Sequence, residues 1–467
     1  MDLDNTISII TAVFGAFILV YGVCSLIIKQ KLYISEASIL CGVLCGPIGF
    51  NLINIDGWIY KEDMTRQFSR IVIAIQVMAA GVSLPKAYLK TEFRSLLVLL
   101  GPVMILMWMV TGLCVWYFVP RLSFLEALMI ASCFTPTDPV LANSIVQGHF
   151  AEKYVPKNIR HMIIAESAAN DGLGYPFLFL AIYLIQIPST TEALYKWSWY
   201  IMGYEIGFSI FIGFLVGYLA RKTLKFAEKR DWIDKESFLV FAIALALFLM
   251  GSVGLMGSDD LLACFIAGNS FTWDDWFREE TEDAHLSEVI DMLLNLSIFV
   301  YIGITLPWST FNNPHTQVTI GTLLGLATCV LLFRRLPAIM AFYKYIPAIS
   351  DKRQAMFAGW FGPIGVGALF YYTIAIESIP SDGTDNYARQ VMEPIIYFMI
   401  LSSVVVHGIT IPFYFVMDSL ASRTLTKTGS SFYLVRSNNS ADLKIPPVSS
   451  SYGATENDPT STVDNIL

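Results

Sequence analysis

Glu166, Ser167, Asn170 and Asp171 bring two carboxyls, a hydroxyl and an amide into one short stretch whose neighbours are almost all apolar. On a helix the four fall within an arc of roughly 140°, at about 100° per residue, so one face presents them all. Ionisable groups inside an apolar span cost several kcal/mol by insertion scales and mark ion or proton pathways. The chemistry on offer is oxygen ligation of a hard cation, with Asp171 as the candidate carrier. A bare carboxylate withdrawn from water is costly, and either a proton or a bound cation relieves that cost. The two therefore compete for one group.

A second constellation lies upstream, in Thr135-Pro136-Thr137-Asp138-Pro139. Two prolines three apart remove backbone donors and clash with preceding carbonyls, so a regular helix cannot run through. Gly359, Gly362-Pro363, Gly365 and Gly367 argue for an unwound stretch in a much later segment. Broken backbone at membrane depth is tolerated only where it faces protein or a water-filled cavity. Interrupted segments at matching places in two halves point to a transporter site built from inverted repeats. Asp138 is then either a second carboxylate of the site or the polar cap of a half-helix. Thr137 offers its carbonyl, Ser167 its hydroxyl, and Asn170 can brace the opened segment. Glu166 needs a counter-charge, and Arg335, beside Arg334 in another apolar segment, is the economical partner for a structural ion pair. Asp259 and Asp260 either line an entrance or cap the helix that follows them. His407 reads as a satisfied histidine of the helix bundle.

The elements that must position these groups follow from composition. The 467 residues are 55% hydrophobic and 15% charged, with mean hydropathy +0.58, whereas a soluble chain carries about a quarter charged residues. Apolar stretches long enough to cross a bilayer core of about 30 Å recur. The expected fold is an all-α polytopic membrane protein of about thirteen spans, near 7–28, 35–53, 68–84, 95–119, 124–147, 158–186, 199–220, 237–256, 258–273, 290–307, 317–343, 355–378 and 391–417. The first span is expected to be retained, and the ninth is short enough to be re-entrant. Spans 1–6 and 8–13 would form two inverted six-helix repeats with the seventh as linker, and the broken fifth and twelfth would cross. Residues 1–418 make the membrane domain. Residues 419–467, rich in Ser, Thr, Asn and Pro, make a tail without apolar periodicity, expected to be disordered.

Loop charge sets the orientation. With the N-terminus outside, inner loops hold Lys86, Lys90 and Arg94, then Lys153, Lys157 and Arg160, then Arg221, Lys222, Lys225, Lys229, Arg230 and Lys235. The outer loops hold only Lys61, Arg66, Arg70, Arg121, Lys196 and Arg389. Cytoplasmic loops carry the Lys/Arg excess, so the tail is expected inside. The acidic run from Asp274 to Glu288 reads as a solvated loop, with a cation-attracting funnel as the alternative. All seven cysteines lie in apolar stretches without metal spacing and read as small buried hydrophobes. No basic patch points to nucleic acid, and nothing resembles a cofactor box or requires a cofactor.

At these residues the chain resembles the sodium/proton exchanger superfamily, specifically its fungal alkali-cation/proton antiporter branch. The resemblance is carried by the run from Thr135 to Leu141, by Ala165-Glu166-Ser167 through Asn170-Asp171-Gly172, and by Asp259-Asp260-Leu261-Leu262-Ala263. Arg334-Arg335-Leu336-Pro337 and the run from Phe361 to Gly367 complete it. It implies a homodimer in the plasma membrane, elevator-like alternating access at the crossing of the broken helices, and export of sodium or lithium against protons. The family's cation positions fall on Asp171, Asp138, Ser167 and Thr137, and its structural ion pair on Glu166 and Arg335. The Asn170-Asp171 pair implies electroneutral exchange. Trp360 departs from the histidine that fungal members often carry there, so a pH-sensing role does not transfer to that position. Potassium/proton or organellar exchange is the nearest alternative. A cation channel is a second rival, and an intramembrane aspartyl protease, needing two facing aspartates, a third; the expected function is a carrier, not an enzyme.

Overall fold

The computed structural model of the chain describes residues 3–31, 34–53, 58, 60–146, 155–281, 286–379 and 386–427. Glu282, Asp283, Lys153 and the tail beyond 427 lie outside the described residues. The principal helices are α1 (Leu3–Lys31), α2 (Ile34–Cys45), α3 (Lys61–Ser83), α4 (Phe93–Phe118), α5 (Phe124–Phe134), α6 (Pro139–Val146), α7 (Lys157–Gln186) and α8 (Thr190–Glu228). They continue with α9 (Lys235–Leu255), α10 (Asp260–Phe271), α11 (Leu286–Thr305), α12 (Ile320–Phe333), α13 (Leu336–Phe342), α14 (Lys352–Trp360), α15 (Val366–Ser378) and α16 (Tyr387–Lys427). Among the described residues the only β pairing is an isolated bridge between Asn313 and Val318.

Among the described residues, six helical stretches are long and apolar enough to cross a membrane: α4, α7, α8, α9, Ile320–Tyr345 and Tyr387–Thr410. Several expected spans are shorter or interrupted. The second ends at Cys45, where Gly46-Pro47 leads into turns, rather than reaching 53. The third begins at Lys61, seven residues before the expected 68, because polar Lys61 to Arg70 belong to the helix. The eleventh is interrupted at Arg334-Arg335, just before Pro337, whose missing N–H cannot continue the ladder. The π-helical stretch Leu99–Val103 in α4 surrounds Pro102 for the same reason. The chain divides into a compact unit Met1–Val416 and a second unit, Met417–Leu467, of which the end of α16 to Lys427 is described. That helix carries nine residues past 418.

The spans are held together by small residues as well as by apolar bulk. A β-carbon at Gly213 would lie 2.5 Å from the Ala263 carbonyl oxygen, and one at Gly217 2.4 Å from that of Ala267. The four-residue repeat on both α8 and α10 lets their backbones approach face to face, the usual solution where lipid offers no hydrophobic drive between helices. Polar side chains pin α3 to α11, through Thr65 to Tyr301 at 2.6 Å and Gln76 to Asn295 at 2.8 Å. Helix α10 packs along α3 and α8, which fixes Asp259 and Asp260 beside the segment carrying Asp171.

Candidate cation and proton site

Helix α5 begins with a capping box between Ser123 and Glu126, and it stops where Pro136 lacks an N–H. Pro139 opens α6, where a missing donor costs nothing. Between them Thr135, Thr137 and Asp138 are fully buried. The later break falls at 361–365, between α14 and α15, as expected from its glycines. The two breaks meet: Asp138 N donates to Pro363 O at 3.0 Å.

Each half-helix leaves an unsatisfied end, and two charged side chains answer all four ends. Asp138 Oδ2 accepts from Leu141 N at 2.9 Å, capping α6, and Oδ1 accepts from Val366 N at 2.7 Å, capping α15. Arg334 donates to Phe134 O and Thr135 O at the end of α5 and to Gly362 O beyond α14. The positive helix ends thus face a carboxylate and the negative ends a guanidinium. Of the two roles the sequence left open for Asp138, the capping one is visible. Gly365 is required for that contact, since a β-carbon there would sit 2.5 Å from Asp138 Cγ.

Helix α7 supplies the rest. Glu166 takes Arg335 in a fork, Nη1 to Oε1 at 2.5 Å and Nη2 to Oε2 at 2.7 Å, while Arg335 Nε donates to Ala358 O at 2.8 Å. Glu166 is 1% and Arg335 3% exposed, so the pair is a buried weld between α7, the 334–335 bend and α14. Ser167 Oγ lies 2.9 Å from Thr137 Oγ1, and Asn170 Nδ2 donates to the same hydroxyl at 3.0 Å. Asn170 therefore braces the first break through the Thr137 hydroxyl.

Asp171 stands apart from its neighbours. It is 1% exposed, yet among the described residues neither carboxylate oxygen has a hydrogen-bond partner. Gly367 passes so close that a β-carbon would be 2.5 Å from Asp171 Oδ1, and Gly367 N lies 3.5 Å from Asp138 Oδ1. The two carboxylates thus meet across one glycine. Tyr371, for which the sequence carried no signal, donates from its hydroxyl to Asp171 O at 2.5 Å. Asp259 caps α10 by accepting from Leu262 N at 2.9 Å, and its buried Oδ2 has no partner among the described residues. Leu262 in turn packs on Gly172, next to Asp171. Asp260 is turned away, paired with Arg70 Nε at 2.7 Å. Of the predicted residues, Thr137, Asp138, Glu166, Ser167, Asn170, Asp171 and Arg335 converge, Asp259 adjoins them, and Asp260 does not.

Two carboxylates of the acidic loop are paired with cations, Asp274 with Lys225 at 2.7 Å and Asp275 with Arg278 at 2.6 Å. Lys225 and Arg221 hold Asp274 below the usual carboxylate range despite its partial burial, and Arg278 does the same for Asp275.

The chain is similar to several known proteins. Residues 13–417 match the model of the transmembrane sodium/hydrogen exchanger family. A probable Na+/H+ antiporter of Schizosaccharomyces pombe is 43% identical over 89% of this chain and 57% of its own length. The Na+/H+ antiporter of Saccharomyces cerevisiae is 39% identical over 89% of this chain and 44% of its own. The chain thus spans about half the length of these relatives. A second S. pombe Na+/H+ antiporter is 34% identical over 93% of this chain and 96% of its own length. The fold is that of the sodium proton antiporter MjNhaP1 from Methanocaldococcus jannaschii, with TM-score 0.63 at 18% identity over 87% of this chain and all of the other. This multi-pass membrane chain belongs to the sodium/hydrogen exchanger family.

Proposed function

We propose that the chain exchanges cytoplasmic sodium or lithium for external protons, with cation and proton competing at Asp171. The observation that carries this reading is the pair of Asp171 oxygens, buried and unpartnered among the described residues, beside the meeting of two broken helices. A carboxyl so placed needs either a proton or a cation, and binding one displaces the other. Ser167 offers its hydroxyl and Thr137 its carbonyl at the break, and Asp138 keeps lone pairs after capping both half-helices; oxygen ligands suit a hard alkali cation. Asn170 braces the break, and Glu166 with Arg335 fixes the helices without touching the ion. The Na+/H+ antiporter names of the fungal relatives support the same exchange.

Under this reading the chain works as a homodimer in the plasma membrane, with its N-terminus outside and C-terminus cytoplasmic. About thirteen spans in two inverted repeats would carry the site between sides by an elevator-like movement. The test is flux in liposomes holding purified protein. An imposed sodium gradient must drive protons the opposite way, lithium must substitute, and potassium must not; potassium-driven exchange would move the chain to the alternative cation class. Conductive sodium flux without proton movement would make it a channel.

A further inference from the structure

Asp138 and Arg334 do not satisfy every backbone group of the second break. Arg334 takes Gly362 O, Asp138 N takes Pro363 O, and the Asp138 carboxylate takes Val366 N. Helix α16 adds contacts at the Ile364 N–H inside the break and at the Trp360 carbonyl at its start, which also accepts from Gly362 N at 3.0 Å. Ser403 Oγ accepts from Ile364 N at 2.7 Å, and His407 Nε2 lies 3.1 Å from Trp360 O. Ser403 is fully buried and His407 is 5% exposed.

Both ring nitrogens of His407 face carbonyls: Nε2 lies 3.1 Å from Trp360 O, and Nδ1 lies 2.8 Å from the Ser403 carbonyl one turn earlier on α16. A carbonyl only accepts, so a hydrogen on Nε2 serves Trp360 O and one on Nδ1 serves Ser403 O. The Ser403 hydroxyl, 3.2 Å from Nδ1, accepts the Ile364 N–H. The contacts from α16 thus reach the break at Trp360 and at Ile364. Trp360 and Phe361 flank the imidazole, with ring centroids 6.1 and 6.3 Å away.

We propose that Ser403 and His407 are positioning residues of the exchange site, a hydrogen-bonded clamp on 360–364. The clamp holds the start of α15 so that Val366 N caps Asp138 and Gly367 lies against Asp171. This rests on the exchanger reading above. Neither side chain touches the ion; each acts through the backbone that both carboxylates contact.

The test uses the full-length protein in liposomes, comparing Ser403→Ala and His407→Ala with Ser403→Thr, which keeps the hydroxyl, and His407→Gln, which keeps a donor for Trp360 O. Loss of one clamp bond should raise the apparent KM for sodium about 3- to 10-fold, the equivalent of roughly one hydrogen bond. The maximal rate per folded transporter should change less, and the conservative variants should restore the KM. A KM equal to wild type in both alanine variants, with only yield or melting temperature reduced, overturns the clamp and leaves a bundle contact. If either alanine variant does not purify as folded protein, Ser403→Cys, which keeps the volume and weakens the acceptor, is judged by the same shift. Absence of exchange in the wild type would instead remove the exchanger reading.

Discussion

Removing Glu166 should damage the protein more than removing Arg335, although each leaves half of the same pair. The guanidinium makes two charge-assisted bonds to Glu166, at 2.5 and 2.7 Å, and one neutral bond to Ala358 O, with both side chains at most 3% exposed. Breaking a buried pair by deleting one partner costs about 3–5 kcal/mol, because an uncompensated charge stays behind. An orphaned carboxyl can shed that cost by taking up a proton, whereas an orphaned guanidinium cannot release one. Glu166→Leu should therefore sit at the upper end of the range and Arg335→Met below it. Replacing both by apolar residues of similar volume, Glu166→Leu with Arg335→Met, should recover most of the loss. The assay is thermal unfolding of purified protein in detergent, read as a double-mutant cycle. Where a single variant folds, its apparent KM for sodium should stay near wild type, since the pair is scaffold. Additive losses in the cycle, or a single variant that folds normally and loses cation affinity, would refute the assignment.

Asp138→Asn places an amide donor against backbone N–H groups that now meet carboxylate oxygens; it should cost about 1–3 kcal/mol of stability and abolish exchange, measured by thermal shift and liposome flux. Gly367→Ala would put a β-carbon 2.5 Å from Asp171 Oδ1 and should abolish exchange, whereas Gly251→Ala, with nothing within 4 Å, should be neutral in the same flux assay. Asp274 is held below the usual carboxylate range, so its contribution to stability is complete above that range and is lost only as pH falls through its depressed value. Between about pH 5.5 and 8.5 it does not titrate, so Asp274→Asn should leave the shape of the pH–rate profile of exchange unchanged. A shifted profile would give the acidic loop a role in proton sensing.

Much of the site was legible because its residue types contradict their surroundings. Carboxylates and arginines in apolar stretches have few physical solutions, so Glu166 with Arg335, and Asp171 alone, could be separated before any geometry. The breaks were legible from Pro136, Pro139 and the glycines around Pro363, whose backbone chemistry is local. What sequence did not carry was partnership across the fold. The meeting of the Thr137 hydroxyl with both Ser167 and Asn170, thirty residues or more away in sequence, is one such partnership. The two uses of Asp138 were indistinguishable until Val366 N was seen to meet it from another segment. Arg334 gave only the signal of a charge in a span, and Tyr371 and Ser403 gave none, since a tyrosine or serine in a membrane helix is ordinary. Span ends were misread where helix continues through polar residues, as at Lys61, or stops early at Gly46-Pro47.

The central claim is that proton and cation exclude one another at Asp171, and the most direct test is proton release on cation binding. Sodium or lithium is added to purified wild-type protein in weakly buffered detergent solution, and released protons are counted with a pH indicator. Competition at one carboxyl predicts a saturable release approaching one proton per protomer where the site is protonated, fading as pH rises. Asp171→Asn should fold as well as wild type or better, because a buried unpartnered carboxyl has been removed, and should release none. Saturable sodium-dependent release from Asp171→Asn, undiminished from wild type, would contradict the account.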